Sequence, residues 1–172
     1  MHNHHRLVIF MLLVLPMFSC STNDTNEWFN RTKKEIIRQS SYKEDSVDVS
    51  YNNDSSYVSK SYYLQGRKIK AQHHNKGRLA IESFYSEDGL FEFRREVYRS
   101  GDSGFEGILY KNEFYGLSTW YYYSGKSRIK LQGVRFKGEK IGVWKRWSRR
   151  GRLQEEIDYG RKKLLDSLPQ LR

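Results

Sequence analysis

The chain holds a single cysteine, Cys20, among its 172 residues. That excludes an internal disulfide and a zinc site built from several thiolates. Two prolines are too few for a proline-rich linker or a collagen-like rod. Hydrophobic residues make up only 37% of the chain, yet 15% of it is aromatic. Scarce aliphatics with plentiful rings suit half-exposed strands better than a helical bundle. Beyond the first five residues the only histidines are His73 and His74. Neighbours on a strand point to opposite faces, so these two cannot chelate one metal, and a surface hairpin tip is the expected setting. No paired carboxylates and no phosphate-cradling loop stand out, so neither a metal nor an organic cofactor is expected. One apolar run exists, Leu7–Phe18, and its 12 residues fall short of the ~20 that a membrane-spanning helix needs.

What the first residues do contain is an address. His2, His4, His5 and Arg6 precede the apolar run, in the layout of a secretory signal. The lone cysteine sits where that run stops, in Met17-Phe18-Ser19-Cys20-Ser21. This resembles the bacterial lipobox, in which cleavage before Cys leaves that residue lipidated. Met17 and Phe18 depart from the usual residues; the small Ser19 fits. The resemblance implies a signal peptide over 1–19 and a lipid anchor on Cys20. With no Asp at position 21, it implies the cell envelope of a Gram-negative bacterium, at the outer membrane. Several acyl chains on one cysteine would give a stable anchor where a single chain would not.

Residues 20–59 read as a polar tether. Ser21–Asn26 has no apolar residue and suits a solvated spacer. Trp28-Phe29 and Ile36-Ile37 lie eight apart, on one face of a short helix within 27–39. Ser, Asn and Asp dominate from there to about residue 60, with Tyr51, Tyr57 and Val58 as the approach to a first strand.

From residue 60 to 162 the dominant signal is self-similarity. Gly107-Ile108-Leu109-Tyr110-Lys111-Asn112-Glu113-Phe114-Tyr115-Gly116 aligns without gaps on Gly133-Val134-Arg135-Phe136-Lys137-Gly138-Glu139-Lys140-Ile141-Gly142, 26 residues on. Gly116 to Gly125 encloses Trp120-Tyr121 where Gly142 to Gly151 encloses Arg146-Trp147. Gly77-Arg78-Leu79-Ala80-Ile81-Glu82 matches Gly151-Arg152-Leu153-Gln154-Glu155-Glu156, 74 residues on, close to three units. Tyr98-Arg99-Ser100-Gly101 matches Tyr123-Ser124-Gly125. Within units, apolar and polar residues alternate: Leu153, Ile157 and Tyr159 against Gln154, Glu156 and Asp158. Period two is the signature of a strand, and glycine between the runs supplies positive φ for tight turns. Each unit is therefore expected to be a β-hairpin, with Gly107, Gly116, Gly125, Gly133, Gly142 and Gly151 as its structural glycines.

The pattern Gly142-Val143-Trp144-Lys145-Arg146-Trp147 followed by Gly151-Arg152-Leu153-Gln154-Glu155-Glu156 resembles the MORN-type repeat in its bacterial variant. That variant characterises the YwqK family of antitoxins. Ser118 stands where the preceding unit would carry the repeat Trp. The resemblance implies an all-β fold, an elongated antiparallel meander of repeated hairpins forming an open sheet. Each hairpin would rely on its neighbours to bury its apolar face, and the sheet ends would need caps. A short N-terminal helix would precede the sheet. Leu164, Leu165, Leu168 and Leu171 have helix-like spacing, so residues 163–172 are expected to cap the last hairpin with a short helix over 162–168.

Gly101-Asp102-Ser103-Gly104 matches the surroundings of a serine-protease nucleophile, but that chemistry needs a His base and a buried Asp. Asp, Ser and Gly are also turn residues, and the repeat requires a turn there. No catalytic residue is assigned. The run Lys145-Arg146-Trp147-Ser148-Arg149-Arg150-Gly151-Arg152 would suggest nucleic acid in a cytoplasmic protein. On an exported chain it points instead to an anionic protein, lipid head group or envelope glycan. Trp120, Tyr122, Arg146, Trp147, Arg149 and Arg150 form the candidate binding surface, since Trp, Tyr and Arg dominate contact hot spots. The resulting expectation is a non-enzymatic envelope lipoprotein whose repeats bind another macromolecule. By family resemblance the partner is a toxin and this chain its antitoxin or immunity protein. The alternative is a structural protein that binds anionic lipid or glycan.

Overall fold

A computed structural model of the chain describes residues 22–123, 128–160 and 168–171. One helix, α1 (Thr22–Gln39), precedes ten strands: β1 (Ser46–Tyr51), β2 (Tyr57–Leu64), β3 (Arg67–Asn75), β4 (Arg78–Tyr85), β5 (Phe91–Val97), β6 (Ser103–Tyr110), β7 (Glu113–Tyr121), β8 (Ile129–Phe136), β9 (Glu139–Trp147) and β10 (Leu153–Asp158). Each strand pairs antiparallel with the next, so the sheet order is the sequence order. The fold is the expected all-β open meander.

Local chemistry explains the hairpins. Gln65-Gly66, Lys76-Gly77, Lys111-Asn112 and Lys137-Gly138 each have positive φ at both residues. That is the two-residue turn whose twist matches antiparallel strands. The β5–β6 and β9–β10 turns share one closure, Tyr98 N–H to Asp102 O and Ser148 N–H to Arg152 O at 2.8 Å, and Tyr122 N–H closes on Arg128 O at 2.8 Å across a connection two residues longer. The strand ends of the β5–β6, β7–β8 and β9–β10 hairpins thus correspond. They place Tyr122, rather than Tyr123, at the position of Tyr98. β-bulges interrupt most pairings and invert the alternation locally. One lies between Leu153 and Glu155, so Leu153 sits opposite Trp147 while Ile157 sits opposite Trp144. The expectation that Leu153 shares a face with Ile157 is corrected by that extra residue.

The helix packs on one face of the sheet against β4, β5 and β7. Thr25, Trp28, Phe29, Thr32, Ile36 and Gln39 are its buried stripe, at helical spacing. Trp28, Phe29 and Ile36 meet Phe91, Phe93, Ile108 and Tyr115 in the main core. At its end, the Ser40 hydroxyl donates to Ile36 O at 2.8 Å, satisfying a carbonyl the helix would leave open.

The short helix expected within 27–39 is present and longer than expected, and the solvated spacer expected before it is corrected. That spacer is helical from Thr22 onward, and β1 lies wholly within the tether expected over 20–59. Packing of Trp28, Phe29 and Ile36, rather than intrinsic propensity, holds this helix. The C-terminal helix expected over 162–168 falls almost wholly outside the described residues. Leu168 is described, and it packs in the α1 core instead of on the last hairpin. Trp28 Nε1 donates to Pro169 O at 3.1 Å, so the two ends of the described chain meet.

Candidate functional site

Cross-strand pairs share a face, so the register assigns each side chain to one side of the sheet. On the helix side, Lys60, Gln72, Glu82, Arg95, Glu106, Thr119, Gln132, Lys145 and Glu156 stand directly opposite one another in turn. This polar row is internally satisfied. Gln72 Nε2 donates to Glu82 Oε1 at 2.9 Å, and Lys70 Nζ and Arg95 pair with the same carboxylate. Burial pushes the Glu82 carboxyl up, but Gln72, Lys70 and Arg95 outweigh it and hold its pKa below the ordinary value. Lys33 of α1 reaches Glu106 Oε2 at 2.7 Å, tying helix to sheet.

The opposite face carries rings. Phe105 contacts Phe114 and Trp120, Trp120 contacts Trp144, and Trp144 contacts Tyr159, with centroids 4.7–6.3 Å apart. The Arg135 guanidinium lies 5.5–5.7 Å from the rings of Phe114, Trp120 and Trp144. Lys140 Nζ sits 4.6 Å above Trp144. Glycine makes this stacking possible. A Cβ on Gly133 would fall 2.2 Å from the Trp144 ring, and one on Gly107 2.7 Å from Phe105. Gly116 plays the same part on the helix side, where a Cβ would fall 2.3 Å from Trp28.

The six candidate binding residues do not form one patch. Trp120 belongs to the ring row, half-buried. Arg146 shares that face, opposite Leu131, but pairs with Glu155 Oε2 at 3.2 Å. Lys145 likewise pairs with Glu156, at 3.3 Å. Trp147 is two residues along from Lys145, on the helix side.

A different group comes together at the long-turn end of the hairpins. Tyr122 OH donates to Trp147 O at 2.7 Å, and Tyr98 OH donates to Tyr121 O at 2.7 Å. Each phenol thus pins its turn to the next hairpin. Arg149 lies 5.8 Å and Lys130 5.9 Å from the Tyr122 ring. Arg128 Nη1 donates to Arg149 O at 2.8 Å. Tyr123 is exposed beside Tyr98, and Arg149 and Arg150 are exposed. Among the described residues none of Arg128, Lys130, Arg149 and Arg150 takes part in an ion pair. Of the six candidates, Tyr122, Trp147, Arg149 and Arg150 fall in this group, and Tyr98, Arg128 and Lys130 join them through the repeat register.

Cys20 and Gly125 lie outside the described residues. Gly142 and Gly151 have φ of 58° and 81°, with open space where a Cβ would stand. Ser103 Oγ hydrogen-bonds Glu106 Oε1 at 3.0 Å within β6, and in the turn before it the Ser100 hydroxyl donates to Asp102. His73 and His74 both lie within β3 rather than in its turn. Burial lowers the His73 pKa, with Arg94 and Lys68 adding to the effect, and its ring stacks on Tyr57. Among the described residues no group of three or more His, Cys, Asp or Glu could hold a metal. No described helix is long and apolar enough to cross a membrane. A recess of about 600 Å³ runs along the outer side of α1, lined by Asn26, Glu27, Asn30, Arg31 and Lys34.

Comparison with protein-family models and with curated proteins gives no match. Among solved structures, the chain is similar to the GtfA/B complex at 9% identity and a TM-score of 0.24, over 67% of this chain and 22% of that one. It is similar to the pneumococcal O-GlcNAc transferase GtfA in complex with UDP and GlcNAc at 12% identity and a TM-score of 0.25. That match covers 64% of this chain and 21% of the other. The aligned part is thus about a fifth of each of those chains, and likeness at this level carries no argument about activity.

Proposed function

We propose that this chain is a lipid-anchored envelope protein that acts by binding another macromolecule, without chemistry of its own. The contact surface is the long-turn end of the last hairpins: Tyr122, Trp147, Arg149 and Arg150, with Arg128 and Lys130 beside them. The carrying observation is that among the described residues these cations have no carboxylate partner, whereas Lys145 and Arg146, a few residues earlier, are paired within the sheet. A row of cations interleaved with rings, held rigid by two phenol-to-backbone bonds, favours an acidic protein surface. The resemblance to antitoxins makes that protein a toxin acting in the envelope, where an anchored protein meets it.

Capture of envelope partners on the full-length anchored chain tests this reading. An acidic protein retained by wild type and lost from Arg149→Ala/Arg150→Ala supports it. Binding to anionic vesicles or envelope glycan instead, in a salt-sensitive way, transfers the role to the structural alternative.

A further inference from the structure

The two edges of the sheet differ. β10 is guarded: Glu155, Glu156 and Asp158 line it, and a bulge breaks its register. Charge and bulges are the devices that stop edge strands from pairing. β1 has neither device at full strength. It pairs with β2 through six consecutive residues without a shift, and its only charged residue is Asp48. All six residues are exposed, and Val47, Val49 and Tyr51 on one face are 43%, 43% and 65% exposed. Among the described residues nothing pairs with its outer side.

We infer that β1 is a self-association edge, which joins two copies of this chain antiparallel across a two-fold axis at Val49. Hydrogen-bond parity supports that axis. Asn52 N–H donates to Tyr57 O at 3.1 Å, continuing the β1–β2 register. Alternate residues of an antiparallel strand turn their backbone groups to opposite sides. Asn52, Ser50 and Asp48 therefore face β2, and Val47, Val49 and Tyr51 present N–H and C=O outward. Only registers that pair outward residues with outward residues can bond. An axis at Asp48 would set two carboxylates directly opposite each other, which is unfavourable. An axis at Val49 sets Val49 against itself, Val47 against Tyr51 of the second copy, and Asp48 against Ser50. Every outward residue is then paired, and apolar side chains meet apolar ones. Of the flanking acids, Asp45 accepts from Gln65 N–H in the β2–β3 turn and Asp54 accepts from Ser56 N–H in its own turn. An isologous contact closes on itself, and the guarded β10 edge keeps the dimer from extending into a filament. Two six-residue edges make a small interface, so association belongs to the weak class.

Proline at an outward position tests this directly, because Val49 N–H makes no bond to β2. Sedimentation equilibrium of the full-length chain in density-matched detergent should show a concentration-dependent dimer. Val49→Pro should raise the dissociation constant at least tenfold with an unchanged far-ultraviolet spectrum. Val49→Lys, which sets two cations on the axis, should do the same and stands in if the proline variant fails to fold. A wild-type chain that stays monomeric into the millimolar range overturns the inference and leaves the edge to a different chain. A dimer that survives Val49→Lys overturns it as well.

Discussion

Alanine at Gly116 should destabilise this protein far more than alanine at Gly142, although the two glycines hold the same place in successive units. Both have positive φ, 70° and 58°. A left-handed conformation costs an alanine about 1–2 kcal/mol. Reduced freedom of the unfolded chain returns about 0.4–1 kcal/mol of that. At Gly142 a Cβ meets nothing, so Gly142→Ala should cost no more than about 1.5 kcal/mol. At Gly116 the Cβ would lie 2.3 Å from Trp28, which is buried against the sheet. That ring must move, and overpacking of a filled core adds about 1–3 kcal/mol. Gly116→Ala should therefore cost about 2–4 kcal/mol, a large part of a typical total stability of about 5–15. Gly133→Ala isolates the packing part, since its φ is ordinary and its Cβ would strike Trp144 at 2.2 Å. At about 2–4 °C per kcal/mol, Gly142→Ala should melt within a few degrees of wild type and Gly116→Ala roughly 10 °C below it. Thermal melts by circular dichroism read this, and hydrogen exchange on α1 shows whether the helix has loosened. Equal melting temperatures for Gly116→Ala and Gly142→Ala would refute the reasoning, because backbone strain alone would then account for both.

The Glu82 carboxyl has a folded pKa below the ordinary carboxylate value, so its pairs stabilise the fold above that ordinary value and cease to as pH falls through the folded one. Urea unfolding over a pH series should show Glu82→Gln weaker at pH 7 and less sensitive to acid; an unchanged acid slope would mean the pairs carry no net stability. Tyr122→Phe removes the bond to Trp147 O and should cost about 1 kcal/mol, with faster exchange confined to the last two hairpins. Exchange rates equal to wild type there would mean the phenol does not pin the turn. Cys20→Ala should release the protein from membranes or leave an unprocessed precursor. Incorporation of labelled fatty acid at the wild-type level in that variant would place the anchor elsewhere.

The meander was legible because its signal is local. Glycine spacing, two-residue turn chemistry and period-two alternation act within a single hairpin, and the 26-residue offset between Gly107 and Gly133 carried the register. The extent of α1 was not legible. Thr22 to Asn26 look like solvated spacer until Trp28 and Phe29 are seen lying on Gly116 and Phe93. β1 hid behind its composition, since Ser46, Asp48 and Ser50 mask the alternating Val47, Val49 and Tyr51. Bulges defeated face assignment: one extra residue moves Leu153 to the side opposite Ile157. The candidate surface divided for a related reason. Adjacency in the run from Lys145 to Arg152 spans a strand end and a turn, so its cations point to several sides. Only the register shows which of them β10 neutralises.

The measurement closest to the central claim is affinity for the captured partner as a function of ionic strength. Exposed cations act through long-range attraction that salt screens, whereas a buried ring acts through area that salt leaves alone. Steep weakening with salt is expected for wild type, a flattened dependence for Arg149→Ala/Arg150→Ala, and uniform weakening for Trp147→Ala. Wild-type curves from both variants would contradict that expectation and move the interface away from the long-turn end of the last hairpins.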